Sequence, residues 1–421
     1  MTDLRSQLHR VADAVEPLPV DDDLWQRGVA ARRRGQALVL AAVLAIIASI
    51  TWSAVLLQTP DREARTASTL PAEGAIPQVI AGVPADLEPT SDLAVGRASV
   101  AFVSGQREPV VVTASDGVAH VLDLPSFGPD RAAYALSPDG RRLAYGAEPD
   151  GTLARIEVVD LETGESQVYG SSNTGSLEFD ALAWSPGGTW LGWTSTAVGD
   201  RTGIVGAIRV GGRTQREVFV DGTVPQLAAA DDGSLGLSWI GGALAINRPG
   251  ADLDRIRPAP PGAAGAFSPD GRLLALASGP GRESYTLDVT TRQVLRHPFP
   301  DDTLADSVVR PVGWVDERLQ LFLVQPVDGS DAELVVTTPE VDDQSTWRRR
   351  VGSVAATGVT NLSVAVDLVP DLDGTSSQEL THDFGDTTPG QRDVSWIIGL
   401  GVAAAIAVLM ALRWLWRRLL G

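Results

Sequence analysis

Cysteine and lysine are absent from this chain of 421 residues, and only four histidines are present. Without cysteine there is no disulfide, no thiolate nucleophile and no cysteine ligand for zinc. The histidines are spread along the chain, and no HExxH or other paired spacing typical of a metal site occurs; they are His9, His120, His297 and His382. The sequence therefore predicts neither a metal nor a cofactor.

Motifs of common enzymes are also missing. The chain has no GxSxG elbow, no P-loop and no GxGxxG turn, and its scattered histidines leave no serine–histidine pair to assemble. Paired carboxylates such as Asp301/Asp302 and Asp342/Asp343 stand in acidic, loop-like stretches, where a solvated turn is the simplest interpretation. From these absences we expect a protein that is not an enzyme.

The charge is strongly negative. All 34 basic residues are arginine, a usage typical of a bacterial genome rich in G and C, and the net charge is −19. Nucleic acid is not an expected partner, because binding to phosphates needs a basic face. The acidic excess lies in the middle of the chain, where solubility or attraction of basic partners would each explain it.

Two long uncharged runs predict helices that span a lipid bilayer. Residues 37–57 read ALVLAAVLAIIASITWSAVLL, which as a helix is about 30 Å long and sufficient for the hydrocarbon core. Residues 394–412 form the second run, with Trp396 near one end and Trp414 and Trp416 beyond the other, as in interfacial aromatic belts. The first run follows 36 residues and lacks a tidy cleavage site, so a retained anchor is favoured over a cleaved signal peptide.

The flanking charges predict the orientation of both spans. Three arginines precede the first span, and Arg413, Arg417 and Arg418 follow the second. Under the positive-inside rule both termini are cytoplasmic, and residues 58–393 lie outside the plasma membrane. The predicted order is a cytoplasmic tail (1–36), a span (37–57), a linker (58–75), an extracellular domain (76–370), a juxtamembrane linker (371–393), a span (394–412) and a basic cytoplasmic tail (413–421).

The extracellular segment contains an internal repeat. Related stretches begin at 136 (LSPDGRRLAYG), 184 (WSPGGTWLGWT), 229 (AADDGSLGLSW) and 267 (FSPDGRLLALA), with weaker copies at 93 and 313. Each joins a short apolar run, a turn and an alternating strand. Their markers recur every 38 to 48 residues (Gly96, Gly140, Gly188, Gly233, Gly271 and Arg318). This period is typical of four-stranded propeller blades.

A short alternating segment follows the last repeat. Residues 361–369 (NLSVAVDLV) place Leu362, Val364, Val366 and Leu368 on one face. We expect a strand that closes the ring by completing the first blade, which also removes an exposed edge. The predicted fold class is all-β, a six-bladed β-propeller, with seven blades as the alternative, flanked by two transmembrane α-helices.

The repeat core S-P-D-G-x-x-L-A-[FY], followed by V-V-D-L-x-T-G-E, resembles the WD40-like, TolB-type (PD40) β-propeller repeat. The match is best at residues 136–166, and the resemblance covers roughly residues 76–370. It implies a propeller fold, and propellers of this type mostly bind partners. The fold alone does not give the function.

The turns of the repeat are candidate chemical sites. Ser137, Pro138, Asp139 and Gly140, like Ser268, Pro269, Asp270 and Gly271, combine a hydroxyl, a carboxylate and a glycine. A calcium loop needs several oxygens at alternating positions, and a sialidase Asp-box needs a different spacing, so we interpret both as structural turns. Residues 370–379 (PDLDGTSSQE) faintly resemble a calcium loop, but the glycine is misplaced and a linker is favoured.

The N-terminal tail carries a candidate partner site. Residues 2–15 place Leu4, Leu8, Val11 and Val15 on one face of a short helix, which would bind a cytoplasmic protein or lie on the membrane. The layout resembles the cytosolic heads of membrane-bound anti-sigma regulators, although no His-x3-Cys-x2-Cys signature is present.

Two functions follow as expectations. The first is a membrane-anchored extracellular propeller that acts as a non-catalytic binding or sensing module, with an unknown ligand or protein at its channel face. The alternative is a transmembrane, anti-sigma-like regulator whose N-terminal helix binds a transcription or signalling factor. An extracellular hydrolase is disfavoured by the missing nucleophile.

Reporter fusions test the predicted topology. We expect a reporter that is active only in the cytoplasm to work at either terminus of the full chain, because arginines flank both spans on that side. A reporter that is active only after export should be silent at both ends. An active export reporter at either terminus would contradict the orientation.

Overall fold

The strands form six four-stranded units arranged in a ring. A computed structural model of the chain describes residues 74–128, 133–147, 155–170, 177–197, 202–281, 283–298, 306–338, 348–372 and 378–384. Within these residues, 25 strands and one short 3-10 helix at Val366–Leu368 are present. The chain is therefore all-β here, as predicted, and six blades are formed where seven were the alternative.

Each blade is an antiparallel sheet whose strands are ordered from the centre of the ring to its outside. The first strand of the chain, β1 (Val79–Ile80), lies at an outer edge. Blade 1 contains β2 (Ala98–Val103), β3 (Pro109–Thr113) and β4 (Ala119–Val121). Blade 2 contains β5 (Tyr134–Leu136), β6 (Arg142–Ala147), β7 (Arg155–Asp160) and β8 (Ser166–Gly170). Blade 3 contains β9 (Leu177–Trp184), β10 (Trp190–Ala197), β11 (Thr202–Arg209) and β12 (Gln215–Asp221).

The second half of the ring repeats this plan. Blade 4 contains β13 (Gln226–Ala229), β14 (Leu235–Ser238), β15 (Leu244–Asn247) and β16 (Leu253–Arg255). Blade 5 contains β17 (Ala263–Phe267), β18 (Leu273–Gly281), β19 (Glu283–Asp288) and β20 (Val294–Pro298). Blade 6 contains β21 (Ser307–Trp314), β22 (Gln320–Pro326), β23 (Ala332–Thr337) and β24 (Arg348–Val354). Ladder pairs between β18 and β21 join blades 5 and 6, and β1 extends blade 6 in parallel beside β24.

The last strand, β25 (Thr360–Val364), closes the ring. It forms the inner strand of blade 1 by pairing antiparallel with β2, so that Val100 lies opposite Val364. The predicted closing strand is thus present, but it is shorter than expected. Val366 and Leu368, predicted to continue it, lie in the 3-10 helix, where the Asp367 amide donates to the carbonyl oxygen of Pro138 at 3.0 Å.

The core is made where neighbouring blades face each other. One cluster joins blades 6, 1 and 2 and buries Phe102, Leu143 and Leu321 completely. A second lies between blades 2 and 3, where Phe179 and Trp193 pack edge to face with ring centroids 5.7 Å apart. Because alternate residues of each strand enter these clusters, the two-residue periodicity of the repeats reflects burial between blades.

Each of the six junctions between blades has a hydrogen bond between a side chain and the backbone. In four of them the acceptor lies on the previous blade: Trp184 Nε1 donates to Ala135 O at 2.9 Å, Trp314 Nε1 to Ala266 O at 3.0 Å, the Leu136 amide to Ser363 Oγ at 3.0 Å, and the Ala264 amide to Ser238 Oγ at 2.8 Å. In the other two, Thr194 Oγ1 donates to Val224 O, just before blade 4, and Arg310 Nη2 donates to Leu362 O, each at 2.8 Å.

The two flanks of the propeller lie side by side. The Gln78 amide donates to His382 O at 3.3 Å, and the His382 amide donates to Ile76 O at 2.9 Å. Leu380 is buried. The residues described contain no helix long and apolar enough to cross a membrane. Both predicted spans, at 37–57 and 394–412, lie outside the described residues, as does the tail at 1–36.

Candidate functional site: the central channel

The inner strands of the six blades surround a central cavity. Its volume is about 270 Å³, which at liquid density is room for about nine water molecules. All six blades contribute to its wall, with one example from each in Leu136, Trp184, Gln226, Phe267, Arg310 and Val364. Most of these side chains are small or apolar, so the wall offers contact area but few polar groups.

Arg310 is the ionisable side chain of this wall. It stands on β21, four residues before the strand ends, and one guanidinium nitrogen donates to Leu362 O on β25 at 2.8 Å. Burial lowers the pKa of Arg310, and the nearby Tyr134 phenol opposes that shift. No ion pair to Arg310 is formed within the described residues.

Tyr134 begins β5 and lies close enough to Arg310 for the two groups to act on each other electrostatically. Its side chain is only 7% exposed, and its hydroxyl has no hydrogen-bond partner within the described residues. Burial raises the pKa of Tyr134 well above its ordinary value, against the opposing charge of Arg310. Tyr134 does not line the cavity and packs edge to face against Phe127, with ring centroids 6.3 Å apart, so its hydroxyl belongs to the core beside the channel.

Carboxylates occupy the opposite end, where the inner strands finish. Desolvation raises the pKa of Asp367, and the negative charges of Asp139 and Asp231 raise it further. These three residues come from blades 1, 2 and 4. The channel therefore runs from a cationic region at Arg310 to an anionic mouth. The described residues contain no group of histidine and carboxylate side chains able to hold a metal ion.

The predicted Ser-Pro-Asp-Gly residues form the turns between the first two strands of blades 2 and 5. Ser137 Oγ donates to Asp139 Oδ1 at 2.6 Å and accepts from the Arg142 amide at 2.8 Å. Ser268 and Asp270 repeat this contact at 2.5 Å. Pro138 lines the channel, while the serine and aspartate satisfy each other and the turn backbone.

Blade 3 lacks the turn aspartate, and blade 4 compensates. Gly187 stands where blades 2 and 5 have Asp, and its amide donates to Asp231 of blade 4 at 2.9 Å. Thr189 also donates to Asp231, at 3.4 Å. A carboxylate thus orders this turn from the neighbouring blade, and it also holds negative charge at the anionic mouth.

Sequence reasoning missed Arg310 and Tyr134. The signal for Arg310 was a single charged residue inside an apolar strand (SVVRPVGW) at an inner-strand position of the repeat. Tyr134 carries no such signal. The partner candidates Leu4, Leu8, Val11 and Val15 lie outside the described residues, so that hypothesis stays a prediction.

No protein-family model matches the chain, and no match was found among curated proteins. Many solved structures are similar to part of the chain, and three of them illustrate the similarity. The putative TolB from Agrobacterium tumefaciens is 15% identical, with 62% of this chain and 90% of that chain covered and a TM-score of 0.42. The β-propeller domain of the Trilobed protease from Pyrococcus furiosus is 15% identical (58% and 76% covered, TM-score 0.40). A Synechocystis apocarotenoid oxygenase is 11% identical (61% and 70% covered, TM-score 0.40).

These similarities are too weak to carry a function. All three identities lie below 20% and all three TM-scores below 0.5, and one fold serves many functions. The propeller is established by the chain's own strand pairing, and a function has to be argued from the channel.

Two equivalent glycines test the structural role of the turns. Gly140 and Gly271 have φ angles of 71° and 69°, where alanine costs about 1–2 kcal/mol. At Gly140 an added Cβ would also stand 2.1 Å from Ala98 O, whereas at Gly271 the nearest atom is 3.8 Å away. We therefore expect Gly271→Ala to lower the unfolding temperature slightly and Gly140→Ala to cost about 4 kcal/mol or more.

Thermal unfolding of the purified full chain measures the difference, with each glycine serving as the control for the other. Equal losses at the two positions would contradict the close packing of the blade 2 turn against blade 1.

Proposed function

We propose that this protein is a membrane-anchored extracellular β-propeller that binds a ligand in its central channel without transforming it. The observation that carries the proposal is Arg310, a half-buried cation that faces an open cavity and has no ion pair within the described residues. A buried charge without a counterion is unfavourable, so a bound group that satisfies it would be retained.

The composition of the channel wall favours binding over catalysis. Arg310 is its ionisable side chain among the described residues, and a guanidinium remains protonated at neutral pH. Acid–base catalysis needs a group whose pKa lies near the working pH. The wall as described thus supplies charge, shape and apolar contact, which are the requirements of a binding site.

The position of the chain flanks supports anchoring at one end of the propeller. The Ala75 amide donates to Leu368 O at 3.2 Å, next to the end of the closing strand. Phe384 lies against Gly117, in the turn between β3 and β4. Spans at 37–57 and 394–412, one before and one after these neighbouring flanks, would anchor the propeller at both ends of its chain. The reporter fusions described above test this part.

Filling the channel tests the binding function. Gln226 is exposed and lines the cavity on blade 4, so Gln226→Trp would occupy ligand space without displacing the core. Val168→Trp is the matched control, because Val168 is 57% exposed on the outer strand of blade 2. We expect the full chain purified from membranes to carry a bound small molecule, detected by native mass spectrometry.

The bound mass should be lost from Gln226→Trp and kept by Val168→Trp. Equal occupancy in both variants would place the ligand outside the channel and contradict the proposal. Turnover of a substrate by the wild-type chain would contradict its non-catalytic part.

A further inference from the structure

Arg310 differs from other arginines of the propeller in its surroundings. Several arginines elsewhere pair with carboxylates, as Arg141 does with Asp160 at 2.9 Å and Arg348 with Glu333 at 2.9 Å, and the half-buried Arg216 instead donates to Asn247 and to the Gly233 carbonyl. The chain has 53 acidic residues, yet none of those described forms an ion pair with Arg310. Arg310 is set apart because it lines the channel and keeps N–H donors without an acceptor among the described residues, so a ligand in the channel can supply its counterion.

The hydrogen-bonding capacity at this position is only partly used. A guanidinium has five N–H donors in a planar fork, and the structure uses one of them, toward Leu362 O. The remaining donors suit a planar acceptor with two oxygens, because a guanidinium binds a carboxylate through two parallel hydrogen bonds.

The rest of the channel limits what this acceptor can belong to. The wall around Arg310 is apolar, with Leu136, Trp184 and Phe267 among its residues, so the remainder of the ligand should be apolar as well. One cation balances one negative charge. A second negative charge would approach the mouth where Asp139, Asp231 and Asp367 already repel one another. A phosphate dianion therefore fits less well than a monocarboxylate.

We propose that the channel binds a small organic monocarboxylate, whose two oxygens accept hydrogen bonds from Arg310 and whose apolar part lies against the channel wall. This rests on the proposed function and specifies its ligand class. The competing role for Arg310 is purely structural, as the residue that joins blade 6 to the closing strand. The experiment must separate these two roles.

Chemical protection in the wild-type full chain, held in an uncharged detergent, separates them without any substitution. Phenylglyoxal modifies accessible arginines, and peptide mapping reports each position. We expect hexanoate to slow the modification of Arg310 about tenfold, while hexanamide, which has the same shape and no charge, leaves it unchanged. Arg318 is exposed in the turn after β21 and serves as the internal control, which hexanoate should not protect.

Calorimetry of variants gives an independent measurement. Arg310→Gln should weaken hexanoate binding at least tenfold, which is about 1.4 kcal/mol. Arg310→Lys should keep part of the affinity, because the charge remains and the fork is lost. Arg318→Gln should bind as the wild type does. If Arg310→Gln does not fold, the protection experiment on the wild-type chain still distinguishes ligand binding by Arg310 from a purely structural role.

Three results would overturn the proposal. Equal protection by hexanamide would show that charge is not recognised, and protection by inorganic phosphate as strong as that by hexanoate would reassign the site to phosphate. If no carboxylate protects Arg310, although Gln226→Trp still loses the natural ligand, the carboxylate assignment fails while the binding function stands. If Gln226→Trp changes nothing either, both fail.

Discussion

The ring depends on hydrogen bonds that join each blade to the next beside the inner strands. Five of these bonds join parts of the chain that are close in sequence, but the bond from the Leu136 amide to Ser363 Oγ joins blade 2 to the C-terminal strand across 227 positions. Pairing of β25 with β2 closes the ring and leaves it without an open edge between the chain ends. Arg310 joins blade 6 to the same strand by donating to Leu362 O at 2.8 Å.

Closure determines where the functional features lie. It brings both flanks of the propeller to one place, where residues 76–78 pair with His382, and it surrounds a channel that no single blade could form. Arg310, which joins blade 6 to the closing strand, also lines that channel. A carboxylate bound to Arg310 would therefore contact the residue that holds β25, the strand whose pairing with β2 joins the two ends of the propeller.

Local features of the sequence predicted the repeat, and long-range contacts explain what was missed. The blade turns could be predicted because proline, aspartate and glycine determine the backbone conformation within a segment of four residues, as in Ser137–Gly140. The closing strand could be predicted from its alternation of apolar and other residues. Its end could not, because the Asp367 amide leaves the strand and donates to the distant Pro138 carbonyl oxygen. A ligand at the channel face was expected, but the residues that line the channel were not predictable, since their contacts join distant parts of the chain. Ser363 and Leu136, for example, are 227 positions apart.

Closure by the C-terminal strand is the central claim, and a disulfide tests it most directly. The Ala365 amide bonds Ser99 O at 2.9 Å, so Val100 and Val364 form the adjacent non-hydrogen-bonded pair, where side chains come closest. The chain has no cysteine, so V100C/V364C introduces its only thiols. Oxidation of the full chain should form an intramolecular disulfide, detected by a reducible shift in gel migration, while V168C/V364C should form none. Absence of the bond in V100C/V364C, or a bond only between two chains, would contradict the closed ring.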